Sequence, residues 1–315
     1  MSPGLKNSHP APGPGRPAGR SSRLWSRDGI IRSIRGFFHG RHYLEVETPN
    51  LIPSPAPEIH IDAVPADGGY LHTSPELCMK RLLSAGYSRI FQISKCYRQG
   101  ERGDRHLPEF TLLEWYRAGV DYRSLMGECE ELVRFVARDR KKEGGFEYRG
   151  KDIPMEGPFK RIPVTEAFRL YSSLSMEEAL ASNRFDEIMV REIEPRLNSP
   201  TFLYDFPAAL ASLARVKKGD PGLAERFELY MGGLELANAF TELTDSREQE
   251  RRFRRDRDAR RKLGKDVYPF PRKFIQDLAG MPGSAGIAFG VDRLVMLFTD
   301  SALIDDVVSF TPEEL

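Results

Sequence analysis

The sequence predicts an α+β fold in which an antiparallel sheet is flanked by helices. Strand-like segments are separated by long helical stretches, and some strands follow each other as hairpins. No internal repeat divides the chain. Its 315 residues, of which 40% are hydrophobic, suffice for one large domain with a substantial core.

The folded part is expected to begin near Arg23. Residues 1–22 contain five prolines and four glycines and almost nothing apolar, which predicts a disordered tail. Ile30, Ile34 and Phe37 then recur at helical spacing, and Gly40 fits the end of that helix. We therefore expect a tail over residues 1–22 and one folded domain over residues 23–315.

The later elements follow from apolar periodicity and turn signals. Ser74 is expected to cap a short helix that has Pro75 at its first position. The other predicted elements are a strand over 43–47, a helix over 77–83, strands over 90–98 and 110–117, a helix over 122–141, a hairpin near Gly144, helical structure over 165–198, strands over 201–206 and 227–236, a highly charged helix over 246–265, and a glycine-rich turn leading into an apolar helix over 286–298.

Composition disfavours several classes of protein. Lys and Arg number 47 against 46 Asp and Glu, so the net charge of +1 argues against binding nucleic acid by bulk electrostatics. Cys78, Cys96 and Cys129 form no Cys-x-x-Cys pair, which disfavours a disulfide framework or a zinc cluster. Neither a membrane-spanning run nor a signal peptide is recognisable, so we expect a cytoplasmic protein.

The first candidate site lies on the two strands predicted over 90–98 and 110–117. Alternation places Phe110, Glu114 and Tyr116 on one face, where a carboxylate and a phenol beside apolar neighbours suit an ammonium group. Arg98 ends the partner strand, next to a loop that holds further arginines, and guanidinium groups suit a polyphosphate. Taken alone, this stretch is equally consistent with a solvated hairpin tip.

Two acids in an apolar run form the second candidate site. Glu235 and Glu242 lie in the segment GGLELANAFTE. Embedded carboxylates need partners, and either Mg²⁺ bound with nucleotide phosphates or buried salt bridges would provide them. The seven-residue separation puts the two side chains on opposite faces of a strand. Both can face one site only if a bulge or a turn intervenes.

Gly286, Gly290 and Arg293 form the third candidate site. The two glycines would let the backbone approach a ligand closely, and Arg293 lies in the first turn of the following helix. Two glycines before a helix are common, so the motif is weak by itself and, taken alone, is more typical of core packing.

Together these segments resemble the catalytic domain of class II aminoacyl-tRNA synthetases. Arg98 with PEFTLLEWYR (108–117) resembles the second motif of that class and GIAFGVDRL (286–294) the third, while FFHGRHYLEVETP (37–49) resembles the first, which forms the dimer interface. The resemblance covers essentially residues 23–315 and implies the antiparallel catalytic fold of the class. The segments that resemble the lysyl branch more narrowly are TSPELCMKRLL (73–83), PTFLYDFP (200–207) and GLELANAFTELTDSREQ (233–249).

This resemblance implies ATP as a substrate and Mg²⁺ as a cofactor. It implies that Arg98 and Arg293 contact the α- and γ-phosphates, and that Phe110 stacks on adenine. The implied catalytic residues are Arg98, Arg293 and Glu235; the implied amino-acid site comprises Ser74, Pro75, Glu76, Glu114, Tyr116, Asn238, Glu242 and Ala288; the implied ATP site comprises Arg98, Gln99, Gly100, Leu107, Phe110, Glu235, Leu236, Gly290 and Arg293; and the implied metal ligands are Glu235 and Glu242.

The amino-acid site has implied roles of its own. Glu76 would hold the amino group near the reacting carboxylate, while Glu114 and Tyr116 would bind an ε-ammonium group. Asn238 would lie near the substrate. Ala288 stands where lysyl-tRNA synthetases usually have glycine, and its methyl group would reshape the pocket near the α-substituent.

Within the class, the chain resembles the elongation factor P lysine ligase family. No anticodon-binding domain precedes the first motif, and GERG (100–103) and LEWYR (113–117) are typical of that family. The resemblance implies lysine or (R)-β-lysine as substrate, elongation factor P as protein acceptor and a homodimer, with neither tRNA nor a membrane as partner. Two alternatives stay open: a minimal lysyl-tRNA synthetase-like enzyme that charges tRNA or another small acceptor, and a non-catalytic regulatory paralog.

Three positions depart from the family pattern. Gly100 stands where the second motif commonly has an acid, Leu107 where the family has asparagine, and Ala239 where it has glycine. None of the three removes a charged catalytic group, so the departures bear on adenine recognition alone.

A strongly basic segment covers residues 247–265, with ten basic and four acidic side chains. We expect a solvated helix here. The functional alternative is that this helix steers an acidic protein or nucleic-acid partner.

Overall fold

A large mixed sheet forms the centre of the computed structural model, which describes residues 19–315. The helices are α1 (Ser21–His39), α2 (Glu76–Ser84), α3 (Tyr122–Asp139), α4 (Val164–Tyr171), α5 (Met176–Ala181), α6 (Phe185–Ile188), α7 (Ser246–Lys262), α8 (Arg272–Leu278) and α9 (Val291–Phe298). A π-helical turn (Met189–Ile193) follows α6, and 3₁₀ turns cover Glu194–Arg196, Ala208–Leu210, Ile304–Val307 and Pro312–Glu314.

Eight of the strands form the large sheet. They are β1 (Leu44–Glu45), β2 (Leu51–Ile52), β3 (Pro65–Ala66), β4 (Gly69–Leu71), β5 (Arg89–Tyr97), β6 (Glu109–Ala118), β7 (Gly145–Tyr148), β8 (Lys151–Pro154), β9 (Lys160–Pro163), β10 (Thr201–Pro207), β11 (Leu223–Met231), β12 (Leu234–Thr241) and β13 (Ser284–Gly290). The eight-stranded sheet has the order β1-β5-β6-β13-β12-β11-β10-β9, and only its outermost pairs, β1 with β5 and β9 with β10, are parallel. The predicted α+β fold is confirmed.

Helices α1, α3 and α9 cover one face of this sheet. Their apolar residues meet the inward side chains of the central strands, among them the fully buried Leu113 and Trp115 of β6. A buried carboxylate fastens α3 to this layer, because Glu128 accepts hydrogen bonds from Tyr43 Oη (2.8 Å) and Trp115 Nε1 (3.1 Å). The alternate side chains of β6 therefore point to the opposite face.

That opposite face is only partly covered. Helices α2, α7 and α8 pack against one end of it around Leu83, Phe253 and Phe274, and Tyr116 of β6 joins this smaller core. The centre of the face stays open and carries the candidate site. None of the described helices combines the length and the hydropathy that a bilayer span requires.

Two predicted elements are wrong. The single strand predicted over residues 227–236 is a hairpin, because Gly232 and Gly233 both adopt positive φ (60° and 75°) and turn the chain between β11 and β12. The glycine-rich turn predicted at Gly286 is strand β13, which pairs with β6 on one side and β12 on the other. Hydrogen bonds to neighbouring strands, which the local sequence does not show, decide both cases.

Several boundaries differ from the prediction. Helix α1 begins at Ser21, and Arg20 before it pairs with Glu314 at 2.7 Å; residues 1–18 of the predicted tail lie outside the described part of the chain. The hairpin expected near Gly144 is β7–β8, with its turn at Arg149. Pro75 is the N-cap of α2, and Ser74 Oγ accepts the Glu76 N–H at 3.1 Å. The short strands β2–β4 and β9 and helix α8 had no clear signal in the sequence.

Candidate active site

A cavity of about 290 Å³ opens on the uncovered face of the sheet. It unites the three candidate sites recognised in the sequence. The predicted residues that line it are Ser74, Glu76, Arg98, Leu107, Phe110, Glu114, Tyr116, Glu235, Leu236, Asn238, Ala288, Gly290 and Arg293. The predicted residues that do not line it are Pro75, Gln99, Gly100 and Glu242.

Strand register brings these distant segments together. Glu114 of β6, Ala288 of β13 and Asn238 of β12 are direct neighbours in one row across the sheet. The next row joins Tyr116 to Gly286, where an added Cβ would overlap the tyrosine ring. Gly286 is therefore required for packing against Tyr116, since any side chain there would displace it.

A β-bulge in β12 decides which side of the sheet the two embedded acids face. Tyr230 pairs with Glu235 and Leu229 with Ala237, so Leu236 is the extra residue in β12. The bulge restores Glu235 and Asn238 to the same side of the sheet, and both line the cavity. The bulge that the seven-residue spacing required is present.

Glu242 lies beneath the cavity in a buried polar cluster. Lys80 Nζ lies 2.5 Å from Glu76 Oε1 and 2.5 Å from Glu242 Oε2, with the side chains of Lys80 and Glu242 only 1% and 0% exposed. Tyr116 Oη donates to Glu114 Oε2 at 2.8 Å in the same cluster. The structure thus joins the residues predicted to hold an amino acid through a lysine that had no predicted role.

This cluster has more negative than positive charge. Three carboxylates face one ammonium group, which leaves two negative charges when all are ionised. Burial, with the charge of Glu76 second, raises the pKa of Glu114 to about 8. Burial also raises the pKa of Glu242 to about 8, against the lowering effect of Lys80. A ligand with two ammonium groups would neutralise the cluster.

Arg98 and Arg293 occupy the other end of the cavity. Arg98 places its guanidinium 4.9 Å from the centre of the Phe110 ring, and its buried Nε makes no hydrogen bond among residues 19–315. Arg293 donates to the Glu235 carbonyl oxygen at 2.7 Å and lies 2.7 Å from His106 Nε2. An arginine with a free buried donor beside an aromatic ring suits an anionic, aromatic ligand such as a nucleotide.

Gln99 and Gly100 shape the loop that follows Arg98. The Gln99 N–H donates to the carbonyl oxygen of Asp62 at 2.7 Å, and Gly100 adopts a φ of 77°. Glycine takes this conformation without strain. The departure at Gly100 therefore matches the backbone of the loop, whereas the departures Leu107 and Ala239 are buried in the main core.

The two acids predicted as metal ligands differ in accessibility. Glu235 has a side chain 36% exposed at the cavity, near Arg293, and suits a cation shared with phosphates. Glu242, the other predicted ligand, has Lys80 as its partner here and its oxygens are buried, so its role at a metal stays a prediction. Burial and the charge of Glu235 raise the pKa of Glu228, but this buried carboxylate already has Arg226 (2.5 Å) and Tyr230 (2.6 Å) as partners. No group of three or more potential metal-binding side chains occurs among residues 19–315.

A second cavity of about 710 Å³ continues from the first. Both are lined by Arg105, His106, Glu235 and Arg293, so these residues stand at their junction. Beyond the junction, Arg149 and Lys151 add two positive charges. The basic lining fits a polyphosphate that extends from the first cavity into the second.

Two residues of the cavity region, Lys80 and Glu58, had no predicted role, and a local sequence signal existed for Lys80 alone. Lys80 lies four residues after Glu76 on a predicted helix, a spacing at which ion pairs form, so its pairing with Glu76 was predictable. Glu58 also lines the cavity. It comes from an irregular segment after β2, and no local pattern identifies it.

Known proteins are similar to this chain over most of its length. Residues 16–314 match the family described as tRNA synthetases class II (D, K and N). The chain is 36% identical over 320 residues to the elongation factor P--(R)-β-lysine ligase of Pseudoalteromonas translucida, covering 93% of this chain and 96% of that protein. It is 39% identical over 315 residues to the ligase of the same name from Photorhabdus laumondii, covering 94% and 97%. It is also 37% identical to the lysine--tRNA ligase of Pelotomaculum thermopropionicum, covering 90% of this chain and 62% of that protein.

Proposed function

The chain belongs to the class II tRNA synthetase family (D, K and N), and we propose that it is an ATP-dependent ligase for elongation factor P. It would activate lysine or (R)-β-lysine as an adenylate and attach it to a lysine side chain of that protein. The relatives named elongation factor P--(R)-β-lysine ligase support this acceptor, because the similarity spans 93–94% of this chain and 96–97% of theirs.

The charge of the buried cluster is the observation that best supports a diamino acid as the substrate. Glu114 and Glu242, with pKa values of about 8, are mostly protonated at neutral pH in the free site; when they ionise, Glu76, Glu114 and Glu242 exceed Lys80 by two charges, which the two ammonium groups of lysine or (R)-β-lysine would neutralise. An amino acid with one ammonium group would leave a buried carboxylate without a partner, at a cost of about 1–3 kcal/mol or more. The pocket is therefore selective for a diamino acid.

The first step is attack of the substrate carboxylate on the α-phosphorus of ATP, with pyrophosphate as leaving group. Arg98, beside Phe110, would stabilise the α-phosphate while the phenyl ring stacks on adenine. Arg293, at the junction of the two cavities, would contact the γ-phosphate. Adenylation needs no protein nucleophile, so positioning and charge stabilisation account for catalysis.

Mg²⁺ fits this site at Glu235. The ion would neutralise the phosphate charge that develops as pyrophosphate leaves. Glu235 is accessible at the cavity, and one carboxylate is enough for an ion that takes most of its ligands from phosphates and water.

We further propose a homodimer formed through the first-motif segment. Strand β1 is an edge of the large sheet, and the side chain of Leu44 on it is 49% exposed. An exposed apolar side chain on an open strand edge suits association with a second copy.

Two assays test the proposed function. ATP–pyrophosphate exchange should depend on lysine or (R)-β-lysine and be absent with norleucine, which has the same length but lacks the ε-ammonium group. Mass spectrometry of elongation factor P after incubation with enzyme, ATP and each lysine isomer should show the mass of one added residue. Exchange with norleucine at the rate of lysine would contradict the role of the cluster.

The similarity to a lysine--tRNA ligase at 37% identity favours a second candidate, the charging of tRNA with lysine. Incubation with tRNA in place of elongation factor P separates the two acceptors. The regulatory-paralog alternative is opposed by the retained Arg98, Arg293 and Glu235, all of which line the cavity.

A further inference from the structure

Glu58 is a carboxylate of the cavity that has no role in adenylate formation. It lies in the irregular segment between β2 and β3 and lines the cavity together with Ser74 and Glu76. Among residues 19–315 its carboxylate forms neither a hydrogen bond nor an ion pair. Its side chain is half-buried at the wall of the cavity, where a carboxylate without a protein partner is free to interact with a ligand.

The backbone of Glu58 is held firmly. Arg260, whose side chain is 0% exposed, donates to the carbonyl oxygens of Glu58 (2.7 Å) and Ile61 (3.0 Å) and pairs with Asp62. Asp62 in turn accepts the Gln99 N–H at 2.7 Å, beside Arg98. These bonds fix the segment that carries Glu58 to the loop that carries Arg98.

Two of the charged groups that act on Glu58 are the ones proposed to bind the reacting end of the substrate. Arg98, Arg226, Glu76 and Asp256 act most strongly on its carboxylate, and Arg226 also donates to Asn238 at 3.1 Å. In the proposed function Arg98 binds the α-phosphate and Glu76 the amino group next to the activated carbonyl. A carboxylate that lines the same cavity as Arg98 and Glu76 would then be placed near the adenylate carbonyl.

The transfer step requires a base at this place. The acceptor lysine carries an ammonium group with a pKa near 10.4, and only the neutral amine attacks a carbonyl. Burial, with Glu76 second, raises the pKa of Glu58 to about 7. A carboxyl group that titrates near neutrality accepts a proton far better than an exposed glutamate does.

We infer that Glu58 is the general base of the transfer step, an inference that rests on the proposed function. The acceptor ammonium gives one proton to the Glu58 carboxylate, and the nitrogen lone pair forms a C–N bond to the adenylate carbonyl carbon. The C–O bond to phosphate breaks with its electron pair, AMP leaves, and the second N–H proton passes to the departing phosphate or to water.

The test separates the two steps in Glu58→Gln, which keeps the shape of the side chain but removes the base. ATP–pyrophosphate exchange should stay within about twofold of wild type, while transfer to elongation factor P should fall by about 10²-fold or more. Cleavage of the adenylate by hydroxylamine, which is already neutral at pH 7, should be unchanged. Glu143→Gln, an exposed glutamate before β7, is the matched control and should alter none of the three rates.

The pH profile gives an independent readout. In wild type the transfer rate should rise up to about pH 7, where Glu58 becomes ionised, and then level off. In Glu58→Gln it should continue to rise about tenfold per pH unit to pH 9, because the fraction of free amine alone controls it.

The outcomes are distinguishable. Normal transfer by Glu58→Gln, or equal loss of exchange and transfer, would overturn the role of Glu58 while wild-type activity upheld the proposed function. Wild-type protein that forms the adenylate but never modifies elongation factor P would instead contradict the acceptor.

Discussion

Substitution of Arg98 is the most direct test of the proposed adenylate formation at the residue scale. Its Nε is buried without a partner and its guanidinium faces Phe110, so a bound α-phosphate would take the free donor. Arg98→Ala should lower ATP–pyrophosphate exchange by about 10²–10³-fold, the effect of losing one preorganised donor. Arg169→Ala, which removes an exposed arginine on α4, is the control, and exchange at the wild-type rate in Arg98→Ala would remove Arg98 from the site.

Ala288 is the residue that bears on the choice between the two lysine isomers. Its neighbours in the sheet are Glu114 and Asn238, so its methyl group lies in the floor of the amino-acid pocket. Ala288→Gly should shift the ratio of kcat/KM values toward α-lysine by about tenfold, since one methyl group contributes about 1–3 kcal/mol to discrimination. Exchange rates measured with both isomers provide the ratio, and an unchanged ratio would assign the preference to other side chains.

Single residues also show which features of the site cannot be predicted from the local sequence. The alternation that put Phe110, Glu114 and Tyr116 on one face was predictable, and all three line the cavity. The need for glycine at position 286 was predicted as access for a ligand, yet the atom that excludes a Cβ there belongs to Tyr116. Two strands had to pair before that contact existed.

At the scale of elements, the C-terminal 3₁₀ turns hold the loop after Arg98 in place. Arg102 donates to Glu313 and Asp305, each at 2.8 Å, and the N–H of Ile304 donates to the carbonyl oxygen of Asp104 at 2.8 Å. The C-terminal 3₁₀ turns thus fasten the loop that also presents His106 to Arg293.

Loosening this loop should weaken ATP binding. Because the ion pairs of Arg102 are exposed, their loss costs about 1 kcal/mol or less. Arg102→Ala should therefore raise the KM for ATP about three- to fivefold and leave kcat nearly unchanged. Steady-state adenylation kinetics measure both constants, and a fall in kcat at constant KM would contradict a positioning role.

Helix α7 contains arginines that the structure pairs locally. Arg251, Arg254 and Arg255 bind Glu248, Glu250 and Asp256 of the same helix. These pairs fit a solvated face of the helix, while Phe253 and Arg260 on its other face are buried. Changing all three arginines to glutamate should lower transfer to elongation factor P by less than about threefold, because these arginines are already engaged in ion pairs within the helix. Lost transfer with normal adenylation would favour the steering alternative instead.

Long elements were more predictable than short ones. Helices α1, α3 and α7 matched their predictions to within a few residues, because their apolar or charged periods extend over several turns. Strand β9 was missed, since its four residues are ordered by pairing with β10 and lack a pattern of their own.

For the whole molecule, the buried carboxylates make stability depend on pH. The pKa of Glu114 is about 8 in the folded protein against 4.5 for an exposed glutamate. Between these values the folded state binds more protons than the unfolded state, so the free energy of unfolding falls as pH rises from about 5 to 8. Glu58 and Glu242 act in the same direction.

Thermal unfolding checks this dependence. Without substrate, Tm should fall from pH 5.5 to 8.5, and Glu114→Gln should flatten the curve while Glu143→Gln should not. Added lysine should raise Tm more at pH 8 than at pH 6, because its ammonium groups compete with protons for the carboxylates. A substrate-free Tm that rises with pH between 6 and 8 would contradict the raised pKa values.

The sequence by itself determined the fold class, the long helices and the strand faces, because periodicity is a local property, while the resemblance of its motifs to the class II family implied most side chains that line the cavity. Tertiary structure alone decided that Lys80 pairs with Glu242, that a bulge at Leu236 turns Glu235 into the cavity, and that Glu58 joins it. These three facts depend on strand register and on burial between segments far apart in the chain. Neither strand register nor burial can be read from the residues adjacent in sequence, and both determine the charge of the pocket.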